Sequence, residues 1–263
     1  MSSAAIASRA NPLFKQLRAL GPSSRRQRAE RCAWLEGPHL LSALLDAGWT
    51  PGQWAVAAGA VGGDEIAALL ARGRAAGARI AVFDDALFAQ LTQAAEGAGI
   101  LAVAPLPERE IAAAIESDCV ILDGVQDAGN AGAILRTAAA AGVRLALCTP
   151  GTANLWSGKV LRAGMGAHFV MHVAAESDSA EIAARLRVPL AATTLEQAES
   201  LYALDLRGPL AWVFGNEGAG VGAQWLALAR YRVRIPQTEG VESLNVAAAA
   251  AVCLFEQRRQ RLA

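Results

Sequence analysis

The stretch Leu210-Ala-Trp-Val-Phe-Gly-Asn-Glu-Gly-Ala-Gly220 carries the strongest fold signal in this sequence. Its first five residues are all apolar and predict a strand that is buried on both faces. Residues 215–220 are small or polar and include three glycines, so they predict a tight turn where the strand ends. A helix is predicted next, over 224–229. Strand, turn and helix in this order form the repeating unit of proteins with a parallel sheet.

Two further segments have the same design. Asn130-Ala-Gly-Ala-Ile-Leu-Arg136 follows the apolar run Cys119-Val-Ile-Leu122, and Ile235-Pro236 is soon followed by Glu242-Ser-Leu-Asn-Val-Ala247. Each segment joins the end of an apolar strand to polar and glycine residues that open a helix. Any one of the three is a weak signal by itself, and the specific signal is their combination in this order.

The remaining pattern predicts two domains. The chain has 263 residues, of which 54% are apolar, which suffices for one large core or two smaller ones. Prolines and charges in Pro105-Leu-Pro-Glu-Arg-Glu110 predict a linker at 105–112, between a small α/β domain at 1–104 and a larger one at 113–263. Strands alternate with helices in both domains, so we expect an α/β fold whose second domain has a parallel sheet. The predicted strands are 34–37, 53–57, 79–83, 99–103, 119–122, 145–148, 168–173, 190–193, 210–214 and 233–235. The predicted helices are 38–47, 64–76, 84–94, 131–141, 155–163, 179–186, 224–229 and 244–259, with a further helix and a basic loop within 11–31.

Composition argues against a membrane or secreted protein. No apolar run approaches the roughly 18 residues that a membrane span needs, and the N-terminal residues lack the charged and apolar regions of a signal peptide. The four cysteines are scattered without a C-x-x-C pair, so we expect buried free thiols in a reducing cytoplasm.

The basic residues are unevenly distributed although the net charge is zero. Positions 1–31 hold seven basic residues and one acidic residue, with Arg25, Arg26 and Arg28 the densest group. Such a surface attracts the phosphates of a nucleic acid. A solvated helical face without a partner is an equally good interpretation of the charge alone.

Two other functional classes have partial signals. Gly218-Ala-Gly-Val-Gly-Ala223, with Glu239 about twenty residues later, fits the dinucleotide-binding fingerprint. That fingerprint normally opens its domain, whereas here it lies far inside one.

On a predicted strand, His168 and His172 share a face but are roughly 13 Å apart, too far to bind one metal ion. Asp123 and Asp127 flank a glycine turn and are expected to cap it, with a general-base role as the alternative.

In this order, the three segments resemble the three motifs of the SpoU (TrmH-type) RNA ribose 2′-O-methyltransferases of the SPOUT superfamily. The N-terminal half more loosely resembles the substrate-binding domain of many of these enzymes, through Leu35-Glu-Gly37 and His39-Leu-Leu41. The resemblance therefore covers nearly the whole chain. It implies a C-terminal domain with a trefoil knot, S-adenosylmethionine as cofactor, RNA as substrate and a homodimer. The reactive sulfonium of this cofactor needs no metal for activation, so no metal site is expected.

The same resemblance implies roles for individual residues. Glycine turns let the backbone approach a ligand, and apolar side chains form walls for an adenine. The cofactor-binding residues it implies are Phe214, Gly215, Asn216, Gly218, Ile235, Pro236 and Leu244. The catalytic residues it implies are Asn130, Arg136, Glu217, Ser243 and Asn245. Lys159 and Arg162 lie three residues apart on one helical face and are expected to contact RNA phosphate or to be simply solvated.

Arginine stays protonated in nearly any protein environment. We therefore expect Arg136 to stabilise the developing alkoxide and hold the adjacent phosphate, while the 2′-hydroxyl proton goes to phosphate, water or Glu217. By analogy with the family, the additional N-terminal domain favours large-subunit ribosomal RNA over transfer RNA as substrate. The alternative from another class is a non-catalytic RNA-binding protein of ribosome assembly, against which the complete set of motif residues argues.

Overall fold

The computed structural model describes residues 5–92, 99–107, 110–174, 176–238, 240 and 243–262. They form two compact units, Met1–Pro107 with Trp156–Phe169, and Glu108–Leu155 with Val170–Ala263. The predicted linker at 105–112 is only partly described, since residues 108–109 lie outside these ranges. Its first residue, Pro105, is the last residue of a strand. The division of the chain at 105–112 stays a prediction.

Helices and strands alternate along both units, and the predicted α/β class is confirmed. The helices are α1 (Pro12–Leu20), α2 (Ser24–Ala29), α3 (Pro38–Asp46), α4 (Asp64–Ala75), α5 (Asp85–Phe88), α6 (Ala128–Ala141), α7 (Gly158–Gly164), α8 (Ala167–Val170), α9 (Ser179–Arg185), α10 (Ala223–Leu228) and α11 (Val246–Leu262). The strands are β1 (Cys32–Glu36), β2 (Gln53–Ala57), β3 (Arg79–Phe83), β4 (Ile100–Pro105), β5 (Cys119–Asp123), β6 (Leu145–Cys148), β7 (His172–Val173), β8 (Leu190–Thr193), β9 (Glu199–Ser200), β10 (Ala211–Gly215) and β11 (Tyr231–Arg234). Among the helices within the described ranges, none is long and apolar enough to cross a membrane.

The first unit is built on a four-stranded mixed sheet in the order β1-β4-β2-β3. Successive residues of β1 serve opposite faces, so Leu35 packs with Leu41 of α3 while Trp34 packs with Phe14 of α1. The segment Trp156–Phe169 also belongs to this unit, and its Leu161 is fully buried in the same cluster as Leu35. Residues that follow the first of the three sequence segments therefore complete the core of the first unit.

The second unit is built on a seven-stranded sheet in the order β7-β6-β5-β10-β8-β11-β9, in which every pair is parallel. The expectation of a parallel sheet is thus confirmed. β5 and β10 are neighbours, with Asp123 aligned to Gly215, so the turns that follow these two strands start side by side. This register places two of the three sequence segments at one edge of the sheet. The trefoil knot stays a prediction.

Several local expectations were wrong. The helix expected at 84–94 is the four-residue α5, which ends at Phe88, and residues 93–94 lie outside the described ranges. A helix and a basic loop were expected within 11–31, but the basic part contains a second helix, α2, which Ser23 caps. Helix α6 begins at Ala128 and not at 131, because Asp127 is its N-cap and accepts a hydrogen bond from the Asn130 N–H at 2.7 Å. The expected strand 168–173 is a short helix followed by the two-residue β7, so the two histidines share no strand face.

All four cysteines are buried free thiols, as expected. Burial, with a nearby acidic residue, raises the pKa of Cys32 to about 11 and that of Cys119 to about 12. Burial alone raises the pKa of Cys253 to about 12. These thiols are therefore poor nucleophiles at neutral pH, and we assign them to the core.

Candidate cofactor and catalytic site

The turn after β10 is a loop closed by its own hydrogen bonds. Asn216 and Gly220 exchange two backbone N–H···O bonds, each 2.9 Å long. The Asn216 side chain accepts from the N–H groups of Gly218 and Ala219 at 2.9 Å and donates to the carbonyl of Gly124 at 2.8 Å. The predicted cofactor residue Asn216 therefore shapes the loop and ties it to the turn after β5.

The geometry of this loop requires glycine at two positions, 215 and 220. A Cβ on Gly215 would lie 2.2 Å from the carbonyl carbon of Gly220, a distance that no side chain can adopt. Gly220 itself has φ +72°, in the left-handed region that favours glycine. The glycine pattern is thus required by the closure of the loop, before any ligand is considered.

Asp123 anchors the far end of the same loop. Its buried carboxylate accepts hydrogen bonds from the N–H of Gly222 at 2.8 Å and from the hydroxyl of Thr149 at 2.9 Å. These two bonds join the ends of β5 and β6 to the start of α10. Asp123 therefore has a wider structural role than the turn cap that its sequence position suggests, while Asp127 is the helix cap that was expected.

Glu217 is held at the start of α6 by donors from Asn130 and from the two residues that precede the helix. Its carboxylate accepts from the N–H of Gln126 at 3.1 Å, the N–H of Asp127 at 3.1 Å and the Asn130 side-chain amide at 3.0 Å. Burial raises the pKa of Glu217, but hydrogen bonds from the Asn130 side chain and from backbone N–H groups outweigh it, so the pKa is lowered. An ionised carboxylate whose lone pairs already accept several hydrogen bonds is a weak base, which argues against Glu217 as the proton acceptor.

The third segment is connected to the same group. Asn245 donates from Nδ2 to Asn130 Oδ1 at 2.9 Å, and its Oδ1 caps α11 by accepting from the Ala247 and Ala248 N–H groups at 2.9 and 3.2 Å. Because the Glu217 carboxylate only accepts, each amide in this series has one allowed orientation. The structure therefore joins one residue from each of the three sequence segments in a directed series of hydrogen bonds.

A cleft of about 630 Å³ lies beside this network. It contains eight of the predicted residues, namely Gly215, Asn216, Glu217, Gly218, Ile235, Ser243, Leu244 and Asn245. Two predicted cofactor residues do not line it. Phe214 is fully buried and stacks on Trp212 with ring centroids 6.1 Å apart, and Pro236 is exposed outside the lining.

The sequence interpretation missed another part of the cleft wall. Residues 193–196, which comprise the last residue of β8 and the three after it, line the cleft, as do Val221, Leu226, Val233 and Gln237. Since β8 lies between β10 and β11 in a parallel sheet, its carboxyl end meets theirs. The available signal was the pair of threonines that ends the apolar run at 190–193. Among the described lining residues, the charged side chains are two carboxylates, Glu196 and Glu217, which suits a ligand with positive charge.

Arg136 stands apart from this cluster. It is exposed on α6, does not line the cleft, and makes no hydrogen bond or ion pair with the residues that the structure describes. Six residues separate it from Asn130, which corresponds to about 9 Å along the helix axis. The structure thus brings together Asn130, Glu217, Ser243 and Asn245, but not Arg136. Glu242 and Glu239 lie outside the described residues.

The predicted RNA-binding residues differ in their surroundings. Arg25, Arg26, Arg28 and Lys159 are exposed. The Arg162 guanidinium instead lies 3.9 Å from the carboxylate of Glu36, whose side chain is only 3% exposed. That carboxylate also accepts a hydrogen bond from the Trp34 indole at 2.7 Å. This pairing assigns Arg162 a structural task inside the first unit. Within the ranges that the structure describes, no three His, Cys, Asp or Glu residues could hold a metal ion together.

The chain matches the model of the SpoU rRNA Methylase family over residues 118–255. It is 31% identical to an uncharacterized tRNA/rRNA methyltransferase of Synechocystis, across 99% of this chain and 95% of that protein. It is also 38% identical to the 23S rRNA (guanosine-2'-O-)-methyltransferase RlmB of Bordetella pertussis, across 62% of this chain and 71% of that enzyme.

Solved structures of similar proteins superimpose on nearly the whole chain. A crystal structure of an RNA 2'-O ribose methyltransferase superimposes with a TM-score of 0.82 at 32% identity, covering 99% of this chain and 100% of that one. The AdoMet-bound rRNA methyltransferase of Sinorhizobium meliloti superimposes with a TM-score of 0.86 at 27% identity, covering 99% of both chains. The chain therefore belongs to the SpoU rRNA methylase family and is an S-adenosylmethionine-dependent RNA methyltransferase.

Proposed function

We propose that this protein methylates the ribose 2′-hydroxyl of a guanosine in large-subunit ribosomal RNA. The observation that carries the proposal is the hydrogen-bonded series Glu217–Asn130–Asn245, which joins residues from all three sequence segments and has Glu217 and Asn245 in the lining of one cleft. The names of the relatives support 23S rRNA as the substrate and guanosine as the modified nucleoside, since RlmB and RlmP enzymes act on guanosine of 23S rRNA. We also propose that the protein acts in the cytoplasm, where this RNA is assembled into ribosomes.

The cleft fits the cofactor in size and chemistry. Its volume of about 630 Å³ lies within the range of small-molecule sites. Apolar side chains of Val221, Leu226 and Ile235 offer walls for a flat base, and the two carboxylates favour a cationic ligand. The backbone of the loop 215–220 would hold the cofactor at one side, with Leu244 at another. When bound, S-adenosylmethionine supplies an electrophilic methyl group on its sulfonium.

The residues at the rim then have separate tasks. Glu217 stays ionised and positions the first segment, while Asn245 fixes the start of α11. The Ser243 hydroxyl lines the cleft and is exposed, so it can orient the nucleotide that enters. Because Glu217 is a weak base, we assign proton acceptance to water or to a substrate phosphate. The always-protonated Arg136 would stabilise the oxyanion that results.

A homodimer would give the exposed Arg136 a place in an active site. In α11 the residues Ala248, Ala251, Phe255 and Leu262 share one face, at spacings typical of a helix contact. Phe255 is 47% exposed and Leu262 is 75% exposed, so these apolar side chains, which share the face with the exposed Arg258 and Arg259, are not covered by the described part of the chain. Helix α6, which carries Arg136, packs against α11. We propose that a second copy of the chain covers this surface.

We assign substrate recognition to the first unit. Its exposed Arg25, Arg26 and Arg28 lie on or beside the short helix α2 and have no acidic partner among the described residues. Free cations at this spacing suit the phosphates of a folded RNA. Lys159, also exposed, belongs to the segment that packs into the same unit.

The test is transfer of labelled methyl from S-adenosylmethionine to RNA from a strain that lacks this gene. Separate 23S, 16S and transfer RNA pools should be used, and 2′-O-methylation mapped by resistance to alkaline cleavage. We expect one stoichiometric guanosine in 23S RNA. Methylation confined to transfer RNA would contradict the proposed substrate. Absence of transfer to every pool, with cofactor binding intact, would favour a non-catalytic role in ribosome assembly.

A further inference from the structure

Gln237 has a buried hydrogen-bond acceptor that the chain itself leaves unused. Its Oε1 is shielded from solvent and has no hydrogen-bond partner among the described residues. The residue also lines the cleft proposed for the cofactor. Buried polar atoms without a partner are rare in folded proteins because the lost contact with water is not replaced. An acceptor in this position therefore indicates a donor on the ligand.

The strand that leads to Gln237 fixes the direction of its side chain. Val233, Ile235 and Gln237 line the cleft, whereas Arg234 and Pro236 between them are exposed. This alternation is that of an extended chain, in which every second side chain points to one side. It also explains why Pro236, a predicted cofactor residue, is not part of the lining. Gln237 is thus the polar residue that follows two apolar residues, Val233 and Ile235, on the same side of the extended chain.

The apolar part of the wall continues across the neighbouring elements. Leu226 of α10 lies against β11, where Arg232 Nη2 donates to its carbonyl at 3.2 Å. Together with Val221 and Val233, it gives the cleft a surface suited to a planar ring. A planar heterocycle on this wall would present its edge to the Gln237 amide. Of the parts of S-adenosylmethionine, only the adenine is such a ring.

We propose that Gln237 is a specificity-determining residue for the adenine of the cofactor. Its Oε1 accepts a hydrogen bond from the 6-amino group, while Nε2 of the same amide is free to donate to a ring nitrogen. Glutamine and adenine match in this way because each offers one donor beside one acceptor. The inference rests on the proposed location of S-adenosylmethionine in this cleft and adds the group that recognises its base.

The test compares two ligands that differ only in the 6-amino group. One is S-adenosylhomocysteine, and the other is its analogue with unsubstituted purine in place of adenine. Calorimetry on the full-length protein should show the analogue binding about tenfold more weakly, the value of one good hydrogen bond. In Gln237→Met, which keeps the side-chain volume but has no acceptor, the two ligands should bind within about twofold of each other.

Two further variants show whether the effect of Gln237→Met comes from the loss of the acceptor in the cleft. Gln237→Glu keeps an acceptor and should keep the preference for the amino group, so it tests the idea even if Gln237→Met does not fold. Gln224→Met makes the same substitution outside the cleft lining and should leave the tenfold ratio unchanged. An unchanged ratio in Gln237→Met, or the absence of any preference in the wild type, overturns the role of Gln237 alone. Failure of the wild type to bind S-adenosylhomocysteine overturns the proposed function as well.

Discussion

Asn245 Nδ2 lies 2.9 Å from Asn130 Oδ1, although the two residues are 115 positions apart in the sequence. The bond joins the start of α11 to the first turn of α6. Asn130 also donates to Glu217, so a change at any of the three residues affects contacts between all three sequence segments. This dependence leads to predictions about stability as well as catalysis.

Asn130→Asp should destabilise the protein by about 2 kcal/mol, because it removes the donor to Glu217 and places a second carboxylate beside it. Urea unfolding at neutral pH measures the loss. Combining it with Glu217→Gln restores a donor and an acceptor to the pair and should recover part of the stability. Additive losses in the double variant would show that the two side chains do not interact.

The pH dependence of stability follows from the lowered pKa of Glu217. Because its pKa is lower in the folded state than in the unfolded chain, the unfolded state binds more protons in acid. The stabilisation is therefore complete above the ordinary glutamate pKa and is lost as the pH falls through the folded-state value. Unfolding free energies measured between pH 3 and pH 7 should consequently vary less in Glu217→Gln than in the wild type. Equal pH dependence in the two proteins would refute the assignment.

Gly215→Ala should disrupt the loop that borders the cleft. The new Cβ would meet the backbone of Gly220 and Val221 within 2.3 Å, and backbone cannot move aside without opening the loop. We expect a loss of about 3 kcal/mol in stability, and weaker binding of S-adenosylmethionine. Gly208→Ala is the matched control, since nothing lies within 4 Å of the added methyl group. Similar effects of the two substitutions would mean that loop closure is not the reason for the glycine.

Phe255→Glu should yield a monomer if α11 forms the dimer contact. A charge placed in an apolar interface costs at least about 2 kcal/mol on each side of a symmetric contact. Sedimentation at micromolar concentration distinguishes the two states. Leu228→Glu, at another exposed apolar residue of the second unit, is the control that should stay dimeric. A Phe255→Glu protein that sediments as the wild type does would move the interface elsewhere.

Much of the sheet could be predicted from sequence because its strands are short, uniformly apolar runs. The run 119–122 and the run 210–214 mark β5 and β10 within one residue at each end. The start of α6 was misplaced because both Asp127 and Asn130 are good cap residues, and only the geometry selects the aspartate. The strand expected at 168–173 failed because its apolar residues fit a helical turn equally well.

The lining of the cleft could be predicted where its residues belong to one of the three sequence motifs. Glu217, Ser243 and Asn245 are motif residues, and all three line the cleft. Residues 193–196 were not found because they join the site through the pairing of β8 with β10 and β11, a relationship that no local pattern contains. The contact of Arg162 with Glu36 is likewise a long-range one.

The most direct test of the account is methyl transfer to 23S RNA by the wild type and Arg136→Ala, with cofactor affinity measured in parallel by calorimetry. Arg136 does not line the cleft, so the affinity for S-adenosylmethionine should stay within about twofold. The rate of transfer should fall by a factor of about 100 to 1,000, as expected on removal of one group that stabilises an oxyanion. Arg136→Lys should retain part of the rate because it keeps the charge. Transfer at the wild-type rate by Arg136→Ala would contradict the account, as would a wild-type protein that binds the cofactor but methylates no ribosomal RNA.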